Sequence, residues 1–458
     1  MKYISTRGAS PEANFDTVLR KALAPDGGLY LPKSWPGPRD WRAMKGASFP
    51  EIAAEVLHLF AGDEMSREEA GRLTEEAFAT FRHPDVTPVV DLGGEKVMEL
   101  FHGPTLAFKD VAMQLIARLF ERSLEKSGGA MTVVVATSGD TGGAAVSALA
   151  NREHLSICAL HPHERISGVQ RRFMTTSGAP NVLNLAVEGT FDDCQAIVKE
   201  LFADRDFAAE VSLGGVNSIN WARITAQVSY YIWACLAVEG DDIHFSVPTG
   251  NFGDVFAGWV AKKLGAPVGK LIIAVNENDI LDRALRVGIY EKRGVLPTSS
   301  PSMDIEIASN FERAIFEASG RNAEMTADLM ACLRETDRFR LSKELRAELA
   351  KDFVSYKAGE PEVRAVMAVF AAHYGTLLDP HTAIGIHGAR RAREDALEGP
   401  IVTLATAHPA KFPEAVAAAT GKTPDLPVSS EQLFSQDEVF SVVPSDTAAV
   451  KEALRGLK

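Results

Sequence analysis

Strand-loop-helix units recur along this 458-residue chain and predict an α/β protein: open twisted sheets flanked by helices, with a separate N-terminal domain. Two observations carry the sheet. Residues 131–136, 243–247, 271–275 and 401–405 are short, β-branched apolar runs of the kind buried on both faces of a parallel sheet. Each precedes a helix-period segment, at 142–150, 254–264, 280–287 and 413–419. Length adds a third. A chain of 458 residues exceeds what one core organises, so two or three domains are expected.

Residues 1–90 form the N-terminal unit. Asp26-Gly27-Gly28 is a turn leading into a short strand at 29–31, and 35–50 reads as loop. Helical periodicity follows at 51–60 and 67–81, until Arg82-His83-Pro84 ends it. Further helices are expected at 111–120 and at the apolar run 224–236. Residues 326–374 are more helical and charged, break the strand-helix rhythm, and are expected to pack outside the sheet.

Composition narrows the function. The chain is 46% hydrophobic and 24% charged, as soluble globular proteins are. A net charge of −13 without a basic cluster argues against nucleic acid or an anionic membrane as the main partner. A few local arginines and amides can still hold a small anion. No apolar stretch is long enough to span a bilayer, and Met1-Lys2-Tyr3-Ile4 opens no secretory signal. Cys158, Cys194, Cys235 and Cys332 lie far apart, which suits a reducing cytoplasm, small core residues and no zinc site. His161-Pro162-His163-Glu164 reads as a loop rather than metal ligands, His381 as part of a helix start, and Asp192-Asp193 as a solvated helix start.

Reactive chemistry centres on Lys109, in His102-Gly103-Pro104-Thr105-Leu106-Ala107-Phe108-Lys109-Asp110. An apolar setting at a helix start disfavours the ammonium and favours the free amine that condenses with an aldehyde. The alternative is a lysine whose stem lies on apolar surface while its charge reaches water. Thr137-Ser138-Gly139-Asp140-Thr141-Gly142-Gly143 and Thr249-Gly250-Asn251-Phe252-Gly253-Asp254 each join a buried strand to a helix. Their backbone amides can bind an anion at the helix N-terminus, or they are simply tight turns. The second lacks the spacing of a dinucleotide loop and the lysine of a P-loop. Asp140 is out of place in a pure anion cradle and suits a neighbouring cation, imine or phenolic oxygen. Arg223, with Asn217, Ser218 and Asn220 before it, suits a phosphate or carboxylate, or else a capped helix with a surface ion pair. Thr406, after the last apolar strand, would face the same crevice or cap a helix, and Lys411 lies close behind it.

HGPTLAFKD, TSGDTG, NSINWAR, PTGNFGD, SPSMDIEIASNFER and DPHTAIG, in this order, resemble threonine synthases, pyridoxal-phosphate enzymes of the fold-type II (tryptophan synthase β-like) group. YISTRG and APDGGLYLP are similar too, and the resemblance is to the longer microbial branch with an extra N-terminal domain. It implies a large cofactor-binding domain (91–128 and 216–420), a small α/β domain (129–215) and a tail (421–458) packing on the large domain. The reaction it implies converts O-phospho-L-homoserine and water into L-threonine and phosphate in a cytoplasmic monomer or homodimer. Lys109 would carry pyridoxal 5'-phosphate as an imine and then act as the base. Gly250, Asn251, Phe252 and Gly253, with Asp254 beside them, would hold the cofactor phosphate. Thr406 would meet the pyridine nitrogen, and Asp140 would neighbour the phenolic oxygen. Thr137, Ser138 and Thr141 would receive the substrate carboxylate. Asn217, Ser218, Asn220, Arg223 and Lys411 would grip the substrate phosphate. The nearest rival is a fold-type II lyase such as a serine/threonine dehydratase, and a non-catalytic binding protein of the same fold is a more distant one.

Overall fold

The computed structural model describes residues 1–457. Two sheets organise the chain. The larger has six strands in the order Phe353–Lys357, Val268–Val275, Ile243–Pro248, Ile401–Ala405, Glu95–Glu99 and Val89–Leu92. All its neighbours run parallel except the last pair. The smaller is parallel throughout, in the order Ser441–Pro444, Val182–Glu188, Leu155–Pro162, Met131–Ala136 and Leu213–Gly214. The four expected strands are present, two of them longer than expected because the flanking Pro248 and Val268 still join the ladder. Helix Pro380–Glu394 lies unusually close to the large sheet. A Cβ on Gly388 would fall 2.9 Å from Ala274 Cβ, so only glycine permits this approach. That seating delivers the start of the helix to the carboxyl ends of the strands.

The N-terminal unit pairs Tyr3–Ser5 with Tyr30–Pro32 and packs helix Phe49–Ala61 on helix Trp221–Ala237. Ser48 and Glu51 form a capping box at the start of Phe49–Ala61, satisfying two otherwise free amides. Phe60 meets Trp221 edge-on at 5.3 Å, and Asn220 Nδ2 donates to Leu19 O at 2.7 Å. Arg313 donates to both Tyr30 O and Ile219 O. The unit therefore braces the Asn217–Arg223 segment from behind.

Two expectations are corrected. Region 326–374 does not lie wholly outside the sheet, because Phe353–Lys357 is the edge strand of the large sheet. Phe353 and Ser355 face inward, while charged Lys351-Asp352 and Lys357 surround a run too short to stand out in composition. Beyond its first residues the tail packs on the small domain rather than the large one. Ser441–Pro444 pairs with Val182–Glu188, and helix Thr447–Arg455 buries Val450 and Leu454 in the cluster of Ile197, Leu201 and Phe207. Glu438 pairs with Arg171 at 2.8 Å. An unpaired apolar strand edge is a liability, and the tail covers it. No helix among the described residues is long and apolar enough to cross a membrane.

Candidate active site

Lys109 opens helix Lys109–Ser127, and backbone bonds fix its position. Phe108 N–H donates to Thr406 O at 2.8 Å, and His408 N–H to Leu106 O at 3.0 Å. This short ladder sets Lys109 beside Thr406 although nearly 300 residues separate them. Asp110 accepts from the Thr105 amide at 2.8 Å and the Thr105 hydroxyl at 2.7 Å, closing the turn beneath. The Lys109 side chain is buried, with Nζ 3.3 Å from Asp140 Oδ2 and 3.3 Å from Ser302 Oγ. Burial lowers its pKa, Asp140 opposes this, and Lys411 and Arg223 add to it. The net shift is toward the free amine.

Asp140 crosses from the small sheet to the large. Its Oδ1 lies 2.8 Å from Lys411 Nζ and accepts from Gln170 Nε2 at 3.0 Å, while Oδ2 accepts from Ser302 Oγ at 2.9 Å. Burial alone would raise this carboxyl, but Lys411, Lys109 and Gln170 together hold it well below the usual range. Lys411 is not a solvated cation. It is buried and also donates to Thr105 O at 2.7 Å, so its ammonium is committed away from the expected phosphate cluster. Asp140→Asn would leave the Lys411 charge buried without its counter-ion. We expect a loss of about 3–5 kcal/mol in denaturant unfolding, largely recovered in the double variant with Lys411→Met.

The two loops differ in their backbone. Thr137 Oγ1 accepts from the Gly139 and Gly142 amides at 2.9 and 2.8 Å, so it clasps the loop. The Ser138, Asp140 and Thr141 amides have no protein acceptor among the described residues. In the second loop, Gly253 N–H donates to Asn251 Oδ1 at 2.9 Å and is thereby removed from the expected phosphate set. The amides of Gly250, Asn251 and Phe252 are unpaired at the start of helix Gly253–Lys263, a nest for an anion. Phe252 sits at φ +69°, a rare conformation for a large residue, and its ring packs against Phe311 and Phe353 at 5.1 and 5.3 Å. A Cβ on Gly250 would lie 3.1 Å from Ser302 O, a tight contact that a side chain there could make only if the backbone at Ser302 gave way by a few tenths of an ångström.

Lys109, Asp140, Gly250, Asn251, Phe252, Asp254 and Thr406 line one cavity. Asn220 does not serve the site. Its Oδ1 accepts from Ala222 N–H at 2.9 Å and its Nδ2 is tied to Leu19, because a helix N-cap consumes the side chain. Asn217 is exposed, and Ser218 is half-buried with its carbonyl accepting from Asn310 Nδ2 at 3.2 Å. Arg223 is buried rather than part of a surface ion pair. Its Nη1 donates to Val216 O at 3.1 Å, Nε has no partner, and no carboxylate pairs with it among the described residues. Burial lowers its pKa to about 10, still a cation at neutrality.

Ser302 and His381 are among the cavity residues that sequence reasoning did not assign to the site. Ser302 bridges Lys109 and Asp140. His381, which also lines the cavity, is buried with Nδ1 2.8 Å from Asp379 Oδ1, and its Nε2 has no partner. Both lie inside motifs that carried the resemblance, SPSMDIEIASNFER and DPHTAIG, so position in a motif was the available signal.

Three family models match in order: "Threonine synthase N terminus" at residues 2–78, "Pyridoxal-phosphate dependent enzyme" at 86–407 and "Threonine synthase, C-terminal" at 382–454. A threonine synthase of Pseudomonas aeruginosa is 44% identical, over 98% of this chain and 97% of that protein. The chain belongs to the threonine synthase family. Among family members of known structure, PLP-bound threonine synthase from Brucella melitensis superposes with a TM-score of 0.96 at 48% identity, covering 100% of this chain and 99% of that one. Yeast threonine synthase superposes at 0.94 with 36% identity, covering 100% and 98%. The family thus accounts for the tail as well as the catalytic core, since its C-terminal model reaches residue 454.

The residues present fit pyridoxal phosphate. One cavity is lined by a residue with a buried amine, by three residues whose amides are free, and by His381 and Asp254, each with a side-chain atom that has no partner.

Proposed function

We propose that this chain converts O-phospho-L-homoserine and water into L-threonine and phosphate, with pyridoxal phosphate carried on Lys109. One observation carries the substrate assignment: a buried arginine near Lys109 whose Nε has no partner and which no carboxylate pairs among the described residues. An uncompensated buried guanidinium is costly and is best explained by an anion that completes it.

When bound, the cofactor supplies an electron sink that spreads the charge left by proton removal. The chain supplies the rest. Lys109 Nζ would hold the cofactor and would serve as the base for the α proton of the substrate. Its lowered pKa suits that work near neutrality. The free Gly250, Asn251 and Phe252 amides suit the cofactor phosphate. Thr406 offers a neutral hydroxyl for the pyridine nitrogen. Asp140, held as an anion between Lys109 and Lys411, suits a position beside the phenolic oxygen. The Ser138 and Thr141 amides and hydroxyls are free to take the substrate carboxylate, and the Thr137 hydroxyl orders them. Arg223, with Ser218 and Asn217, would bind the γ-phosphate and steady the departing dianion. Lys411 contributes through Asp140 rather than by direct contact. Four free thiols, three of them buried, suit a reducing cytoplasm.

A coupled assay with O-phosphohomoserine tests the reading. We expect phosphate release matched one-for-one by threonine. Release of phosphate with a 2-oxo acid as product, or activity on unphosphorylated serine alone, would overturn it in favour of a dehydratase.

A further inference from the structure

Asp254 is the second residue of helix Gly253–Lys263, directly after the three unpaired amides of Gly250, Asn251 and Phe252. Its two carboxyl oxygens are treated very differently. Oδ1 accepts from Tyr230 OH at 2.5 Å and Tyr231 OH at 2.9 Å. Oδ2 is buried with no partner, and Asp254 lines the cavity that contains Lys109. If the loop holds a phosphate dianion, an ionised Asp254 would set a second negative charge against it at low dielectric. A carboxylic acid in the same place removes the repulsion and adds a donor. The tyrosines determine which oxygen carries the proton: both donate to Oδ1, leaving Oδ2 as the protonated one.

We propose that Asp254 carries a proton on Oδ2 when pyridoxal phosphate is bound and donates it in a hydrogen bond to a phosphate oxygen. The proposal rests on the reading that the 250–253 loop holds the cofactor phosphate. Tyr230, Tyr231 and Arg223 face Asp254 from helix Trp221–Ala237, and Lys109 from the start of its own helix. Burial raises the carboxyl to about 6 even though the two tyrosines, Lys109 and Arg223 all favour the anion. A phosphate monoester loses its second proton near pH 6 as well. Above neutrality both free partners are therefore ionised, and forming the contact takes up one proton.

The test compares pyridoxal phosphate with pyridoxal, which lacks the phosphate, as ligands of the apoprotein. Their affinity ratio cancels the chemistry of the aldehyde with Lys109. In the unaltered protein the preference for the phosphorylated form should fall as pH rises from about 7 to about 8.5, by up to roughly tenfold per unit. Asp254→Asn keeps an acceptor for the tyrosines and offers a neutral donor. It should keep the preference within roughly threefold near pH 7 and show a flat pH profile. Asp254→Ala should lose roughly tenfold or more. If the unaltered protein does not prefer the phosphorylated form, the loop reading itself fails. If the preference is present but insensitive to pH, or Asp254→Asn loses as much as Asp254→Ala, or Asp254→Ala loses nothing, the shared proton is refuted while the loop reading stands.

Discussion

Lys109→Ala is expected to lower kcat by on the order of 10⁴-fold while leaving the fold intact. Lys109 has two tasks that no neighbour can assume. Lys411 is the nearest other amine to Asp140, but its ammonium is bound to Asp140 and Thr105 O and cannot swing to the substrate. Ser302 lies 3.3 Å from Lys109 Nζ, yet a hydroxyl hydrogen-bonded to Asp140 is a poor base for a carbon acid. Removing one cation leaves Asp140 still paired with the other, so structural damage should be small. Rapid-mixing kinetics with a small exogenous amine provide the check: partial recovery would show that the missing function is a proton acceptor. Borohydride reduction followed by peptide mass analysis should place the cofactor on residue 109. Near-normal turnover of the variant would end the assignment.

The second large effect is expected at Arg223. Arg223→Ala should raise KM for O-phosphohomoserine by roughly 10²–10³-fold, in line with the 2–5 kcal/mol lost when one side of a buried charge pair is truncated. The affinity of inorganic phosphate as a competitive inhibitor should fall in parallel. Arg223→Lys should recover only part, because an ammonium cannot match the two-pronged donation of a guanidinium. The Val216 carbonyl also loses its donor, so thermal unfolding must be measured alongside. An unchanged KM in a folded variant would remove the arginine from the substrate site.

How far the site was legible depended on whether its parts were contiguous. Strands 131–136 and 401–405 were readable to the residue, because a buried parallel strand is a run of apolar and β-branched side chains bounded by polar or turn residues. The glycine loops were readable because each sits between such a strand and a helix. The links between distant segments were not. Nothing local in Ser302 says that it will bond to Asp140, 162 residues away. Asn220 misled for the opposite reason: an amide before a helix serves equally well as a cap or a ligand, and only tertiary contact with Leu19 settles which. Phe353–Lys357 was hidden by its charged borders, and the tail strand Ser441–Pro444 by its brevity.

That tail strand has a consequence for biogenesis. The central strands of the small sheet are complete once residue 188 has been made, but their outer neighbour ends at residue 444. At ordinary ribosomal speeds of about 5–20 residues per second, the intervening synthesis takes roughly 10–50 s. Throughout that interval the nascent lobe presents an open apolar edge. Newly made copies should therefore depend on chaperones, and truncation ahead of Ser441 should show itself first as aggregation rather than as a catalytic defect.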